Sequence, residues 1–195
     1  MTKRIILAGV LGAIAMFIWT AIAHMATPLS EAGIGEIPNE EGVLAAMQSG
    51  IGAKGGLYMF PGMGLGPDAT HAQESEAMKG YEAKLENNPS GLLVYHPAGS
   101  RPMQMPKHLI IEFITQLIEG LLVVSLLAQT RIVTFGGRVA FVTVAGIFAA
   151  ITTNVSYWNW WGFPSTYTVC YMFIQIVGFL VLGLVAAFIF RKSKA

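Results

Sequence analysis

Leu109–Ala128 reads LIIEFITQLIEGLLVVSLLA, an apolar run broken by Glu112, Thr115, Gln116, Glu119 and Ser125. At 1.5 Å rise per residue, roughly 20 helical residues cross a hydrocarbon layer of about 30 Å. Three further runs have the same character: Ile5–Met25, Val139–Val155 and Tyr167–Phe190. The third of the four is the shortest and is interrupted by Thr143, Thr152 and Thr153. It follows Arg138 and ends at an aromatic cluster, as a short span would. Across the 195 residues, 54% are hydrophobic and 12% charged, against a soluble average of about 25% charged. The expected fold is an all-α membrane protein. It is a four-helix transmembrane bundle with a small α+β extracytoplasmic insertion between spans 1 and 2.

The same numbers exclude a disordered chain, a coiled coil and an ordinary cytosolic enzyme. Cys170 stands alone, so an intramolecular disulfide, a CxxC redox pair and a multi-cysteine metal site are all out of reach. A net charge of +1 leaves no electrostatic footprint for nucleic acid. In span number the chain is similar to disulfide-generating and DoxX-like membrane proteins. The single cysteine separates it from the first group, and span number alone carries no function.

Charge sets the expected orientation. Of the twelve Lys and Arg, seven flank the spans on one side: Lys3, Arg4, Arg131, Arg138, Arg191, Lys192 and Lys194. The 81 residues Ala26–Pro106 hold four basic and nine acidic side chains, a net of −5. The positive-inside rule then puts both termini in the cytoplasm and residues 26–106 outside the plasma membrane, which in a Gram-negative source is the inner membrane facing the periplasm. Residues 1–25 read as an uncleaved signal anchor, since the apolar run exceeds the 7–15 residues typical of a signal peptide. Residues 107–195 carry the remaining spans and a short cytoplasmic tail. Trp158, Trp160, Trp161 and Phe163 are expected to anchor at the outer interface.

The insertion contains eight of the nine prolines and thirteen of the 22 glycines, which limits long regular elements. Asn39 is expected to cap a helix beginning Glu40-Glu41, and Asp68 a second one running to about Glu86. Two stretches flanking that second helix, residues 55–61 (GGLYMFP) and 91–97 (GLLVYHP), each read as a short strand stopped by proline, and the two are expected to pair.

The polar residues inside the spans carry the functional argument. Glu112, Gln116 and Glu119 stand at i, i+4 and i+7 and therefore share one helix face. Counted from Leu109, Glu112 lies about 5 Å and Glu119 about 15 Å from the outer interface, and Gln175 reaches about 12 Å. Thr20, His24, His108, Thr152, Thr153 and Asn154 fall toward the same side. An outward-open polar cavity above an apolar inner half is expected, lined by Glu112, Gln116, Glu119, Gln175, Asn154, His24 and His108. Burial disfavours an ionised acid at the depth of Glu119, and such residues usually face a bundle interior or a partner. Three roles follow: a proton or ligand cavity, a Glu119–Gln175 hydrogen bond joining helices, or contact with another membrane subunit.

Other chemistry is thinner. Met59, Met63, His96, Met103, Met105 and His108 are soft-ligand types that suit Cu(I), but they form no repeated motif. His24 and His108 are of the type that serves as paired axial haem ligands. No cofactor is predicted from either pattern. Asp68, His71, Glu74 and Ser75 supply triad residue types within about two turns of one helix, without a nucleophile elbow. The function expected from all this is a non-catalytic accessory, assembly or scaffolding subunit that meets the lipid bilayer and another subunit or itself. The alternative is a proton-coupled carrier or small-ligand or metal-binding protein built on the cavity around Glu112 and Glu119.

Overall fold

The computed structural model describes residues 2–191. Lys192 and Lys194, counted in the charge bias, lie outside them. The described chain is mostly helical, and four of its helices are long and apolar enough to cross a membrane. These are α1 (Thr2–Met25), α4 (Met105–Ala128), α5 (Phe135–Trp161) and α6 (Ser165–Arg191). Between α1 and α4 come α2 (Glu40–Ile51), β1 (Gly56–Phe60), α3 (His71–Glu86) and β2 (Gly91–Tyr95). The chain divides into two compact units, one of residues 1–35 and 104–195 and the other of residues 36–103.

In the first unit, α1 packs between α4 and α6, α6 packs against α5, and α4 meets α5 only thinly. Glycine makes these approaches possible. A Cβ on Gly120 would stand 2.9 Å from the Gly9 carbonyl oxygen, and one on Gly183 would stand 3.1 Å from Val142 Cβ. Gly146 admits the Phe179 side chain in the same way. The Gly9/Ala13, Gly146/Ala150 and Gly183/Ala187 spacings thus serve contacts within this chain, as small residues do wherever helices approach closely. Ala8, Met16, Val123, Val124, Leu127, Val142, Phe179, Leu182 and Ala186 form the apolar core. Most of them lie toward the helix ends that carry Arg4, Arg138 and Arg191.

α5 is 27 residues long, so the run Val139–Val155 understated it. The helix continues through Tyr157, Trp158 and Trp161 until Gly162 takes a left-handed φ of 67° and its N–H caps the Tyr157 carbonyl. After α1, Thr27 caps a single 3-10 turn, Pro28–Ser30. Gly33 then passes against α6 with φ 81°, where a Cβ would come 2.8 Å from the Tyr167 nitrogen.

The second unit contains no buried residue. β1 and β2 pair antiparallel, Gly56 opposite Tyr95 and Phe60 opposite Gly91, as expected from the twin stretches. Both expected helices form; Asn39 holds the expected N-cap position of α2, and the cap of α3 is not the expected one. Asn39 is left-handed (φ 58°) with no side-chain cap bond, so the acids Glu40 and Glu41 alone complement the α2 dipole. At α3, Thr70 replaces Asp68. Its hydroxyl accepts from Gln73 N while Gln73 Oε1 accepts from Thr70 N, a reciprocal box that satisfies two end donors.

Candidate functional site

Gln116 is the one strongly polar side chain that the long helices bury deeply, at 3% exposure among the described residues. Its Nε2 donates to Thr20 Oγ1 at 3.1 Å and to Glu112 Oε1 at 2.8 Å. The first bond ties α4 to α1. The second runs along the i, i+4 face that the spacing identified. Its carbonyl Oε1, equally buried, has no hydrogen-bond partner among the described residues. An orphaned acceptor of this kind typically costs about 1–3 kcal/mol, or marks a place for water or a ligand.

Glu112 is exposed and Glu119 is half-buried. Neither forms an ion pair with a described basic residue. Glu119 also makes no hydrogen bond among the described residues, although it lies near the middle of α4. Gln175 turns elsewhere: Asn154 Nδ2 donates to Gln175 Oε1 at 3.4 Å and to the Ala150 carbonyl at 2.9 Å. The polar residues therefore fall into two groups. Thr20, Glu112 and Gln116 join α1 to α4, and Asn154 and Gln175 join α5 to α6. No hydrogen bond or ring contact links the groups among the described residues, in keeping with the thin α4–α5 contact.

The histidines do not converge. His24 Nδ1 donates to the Thr20 carbonyl at 2.9 Å, and its ring stands edge-on to Tyr171 at 6.0 Å. No hydrogen bond or ring contact joins His24 to His108 among the described residues. In the second unit, His96 Nε2 is 2.9 Å from Arg101 Nη1. Met59 and Met63 do share one cavity of about 390 Å³, which Met78 and Glu74 also line. Tyr81 stands beside it, with its hydroxyl 3.9 Å from Met59 Sδ and 3.1 Å from the Pro61 carbonyl that accepts from it. Met103 and Met105 are exposed. No group of three or more His, Cys, Asp or Glu is placed to hold a metal ion among the described residues.

Trp158, Trp160 and Trp161 are exposed, and Trp158 Nε1 donates to Ser165 Oγ at 3.0 Å across the α5–α6 turn. Phe163 packs between Tyr157 and Tyr167, at 5.4 and 5.5 Å, and Tyr167 stacks on Tyr171 at 4.2 Å. The sequence reading used Tyr167 only as the start of the fourth apolar run and Tyr171 not at all, although their i, i+4 spacing puts them on one face. It also missed Trp19, whose Nε1 donates to the Ile174 carbonyl at 2.8 Å and ties α1 to α6. No periodic signal marks that bond, because its acceptor is a main-chain carbonyl within a helix.

No family model matches the chain, no curated protein matches it, and no solved structure matches it. The functional reading therefore stands on the chain's own geometry.

Proposed function

We propose that the chain is a non-catalytic accessory, assembly or scaffolding subunit of a membrane complex. Its four long helices span the plasma membrane, both termini are cytoplasmic, and residues 26–106 lie outside. The observation that carries this reading is Glu119. It is half-exposed near the middle of a span-length helix and has no hydrogen bond or ion pair among the described residues. An acid at the centre of a span costs about 2.5–3.5 kcal/mol on insertion scales, so a neighbouring polar surface that covers it is favoured. α4 packs mainly against α1 and meets α5 only thinly, which suits a further contact of α4 with a helix of another subunit or of a second copy. Native mass spectrometry of the protein extracted from its own membranes in mild detergent tests the idea. A stoichiometric additional subunit, or a second copy, is expected, and a bare monomer overturns it.

A second reading rests on a separate observation, the orphaned Gln116 Oε1. A buried acceptor without a protein donor suits a polar cavity that takes water, a proton or a small ligand near Thr20, Glu112 and Gln116. A carrier of this kind shows pH-dependent uptake that Glu112→Gln abolishes. Uptake unchanged by that substitution would sink it.

A further inference from the structure

At the helix ends opposite Glu112, a cavity of about 520 Å³ opens among all four long helices. Arg4, Leu127, Ile132, Arg138 and Phe190 line it. Arg138 is held in place by the protein. Its Nε donates to the Ile132 carbonyl at 3.1 Å, and its guanidinium carbon stands 5.7 Å from the centroid of the Phe190 ring. One N–H is thus spent on the backbone and one face on an aromatic ring. The Nη groups have no protein acceptor among the described residues, and they form the planar edge that matches the oxygens of a phosphate.

Among the described residues, two features leave this charge without a balancing acid. Arg138 is the fourth residue of α5, whose first turn has no acid, so the cation sits at the positive end of the helix dipole. Glu119, the acid on α4 nearest the cavity in sequence, precedes Leu127 by eight residues, about 12 Å of helical rise. An anion in the cavity relieves both. With the four helices read as membrane spans, this end lies at the depth of lipid headgroups. Basic pockets between spans at that depth suit anionic lipids.

We propose that this cavity binds a phosphate group, that of an anionic lipid headgroup, with Arg138 as the two-pronged anchor. The inference does not depend on the accessory role, only on the helices crossing the bilayer. Alkaline extraction of membranes checks that crossing separately.

The full-length protein in mild detergent is titrated with phosphatidylglycerol, with cardiolipin, with phosphatidylcholine and with inorganic phosphate. Retained lipid is read by native mass spectrometry and stability by thermal unfolding. Preferential retention of the anionic lipids over phosphatidylcholine is expected, weakened about tenfold by Arg138→Gln, as loss of a charge-assisted pair implies. Arg138→Lys keeps the charge and loses the fork, so it recovers only part of the affinity. Arg131→Gln, a control outside the cavity lining, leaves retention unchanged. Saturation by inorganic phosphate alone, with no gain from the lipid, overturns the lipid source and assigns the site to soluble phosphate. Equal retention of phosphatidylcholine by the wild-type protein overturns the proposal whatever the variants do. So does an Arg131→Gln loss equal to that of Arg138→Gln.

Discussion

Gln116 Nε2 on α4 donates to Thr20 Oγ1 on α1 at 3.1 Å, joining residues 96 positions apart. The amide reaches the hydroxyl because Gly9 and Gly120 let the two helices come together. Hydrogen bonds between spans are modest, averaging about 0.6 kcal/mol by double-mutant cycles. Thr20→Val keeps the shape and removes the acceptor. It is expected to lower stability in detergent by about 0.5–1.5 kcal/mol, and a Gln116→Leu cycle isolates the coupling. A coupling of zero means the two side chains act independently.

Gly120 is predicted to reject even a small side chain. The first obstacle to its Cβ is the Gly9 carbonyl oxygen, a backbone atom that cannot rotate aside. Gly120→Val is expected to cost about 1–3 kcal/mol by overpacking. Thermal unfolding in detergent reads the loss, and a wild-type melting point would contradict the α1–α4 approach.

The second unit offers an opposing pair of substitutions in α3. Thr70→Ala removes the hydroxyl that accepts from Gln73 N, leaves the backbone donor to Gln73 Oε1 in place, and is expected to cost about 1 kcal/mol of local stability. Gly80 lies within the same helix, and a Cβ added there would meet nothing within 4 Å. Gly80→Ala is therefore expected to add about 0.5–1 kcal/mol. Amide exchange of α3 measures both, and the two shifts must have opposite signs.

Trp19 tests the α1–α6 contact. Trp19→Phe retains most of the ring and loses the donor to the Ile174 carbonyl, at an expected cost of about 1 kcal/mol. The same substitution leaves the Phe173 ring, 6.4 Å away, with an aromatic neighbour. A loss above about 3 kcal/mol points to packing rather than to the hydrogen bond.

Glu119→Gln bears on the proposed subunit contact. The amide keeps the side chain's size and its ability to donate, so a partner that accepts a hydrogen bond from a neutral acid is retained. Glu119→Leu removes both, and copurification of the partner is expected to drop about tenfold for a contact worth about 1.4 kcal/mol. Equal recovery of partner with Leu and wild type removes Glu119 from the interface.

Much of the architecture was legible because each level of it is written locally. Four apolar runs of bilayer length, a proline- and glycine-rich stretch between two of them and two matching GLxxx strands identify the long helices and the hairpin. The caps were less legible. Asp68 and Thr70 are both good N-cap types two positions apart, and the reciprocal bond from Gln73 selects Thr70. The length of α5 was hidden by its aromatic end, since Trp and Tyr depress an apolar count without ending a helix.

The candidate site divides along the same line. The i, i+4, i+7 spacing of Glu112, Gln116 and Glu119 determined that they share a face, because helical geometry depends only on separation along the chain. Which of the three is buried, and that Gln175 pairs with Asn154 rather than with Glu119, depended on how α1, α4, α5 and α6 rotate and approach. Those choices are made by close contacts such as Gly120 against Gly9 and Phe179 against Gly146. Likewise the basic bias at one end of the spans is a property of the sequence. The gathering of Arg4, Arg138 and Phe190 around one cavity is a property of the packed helices alone, because it unites three segments that no local interaction brings together.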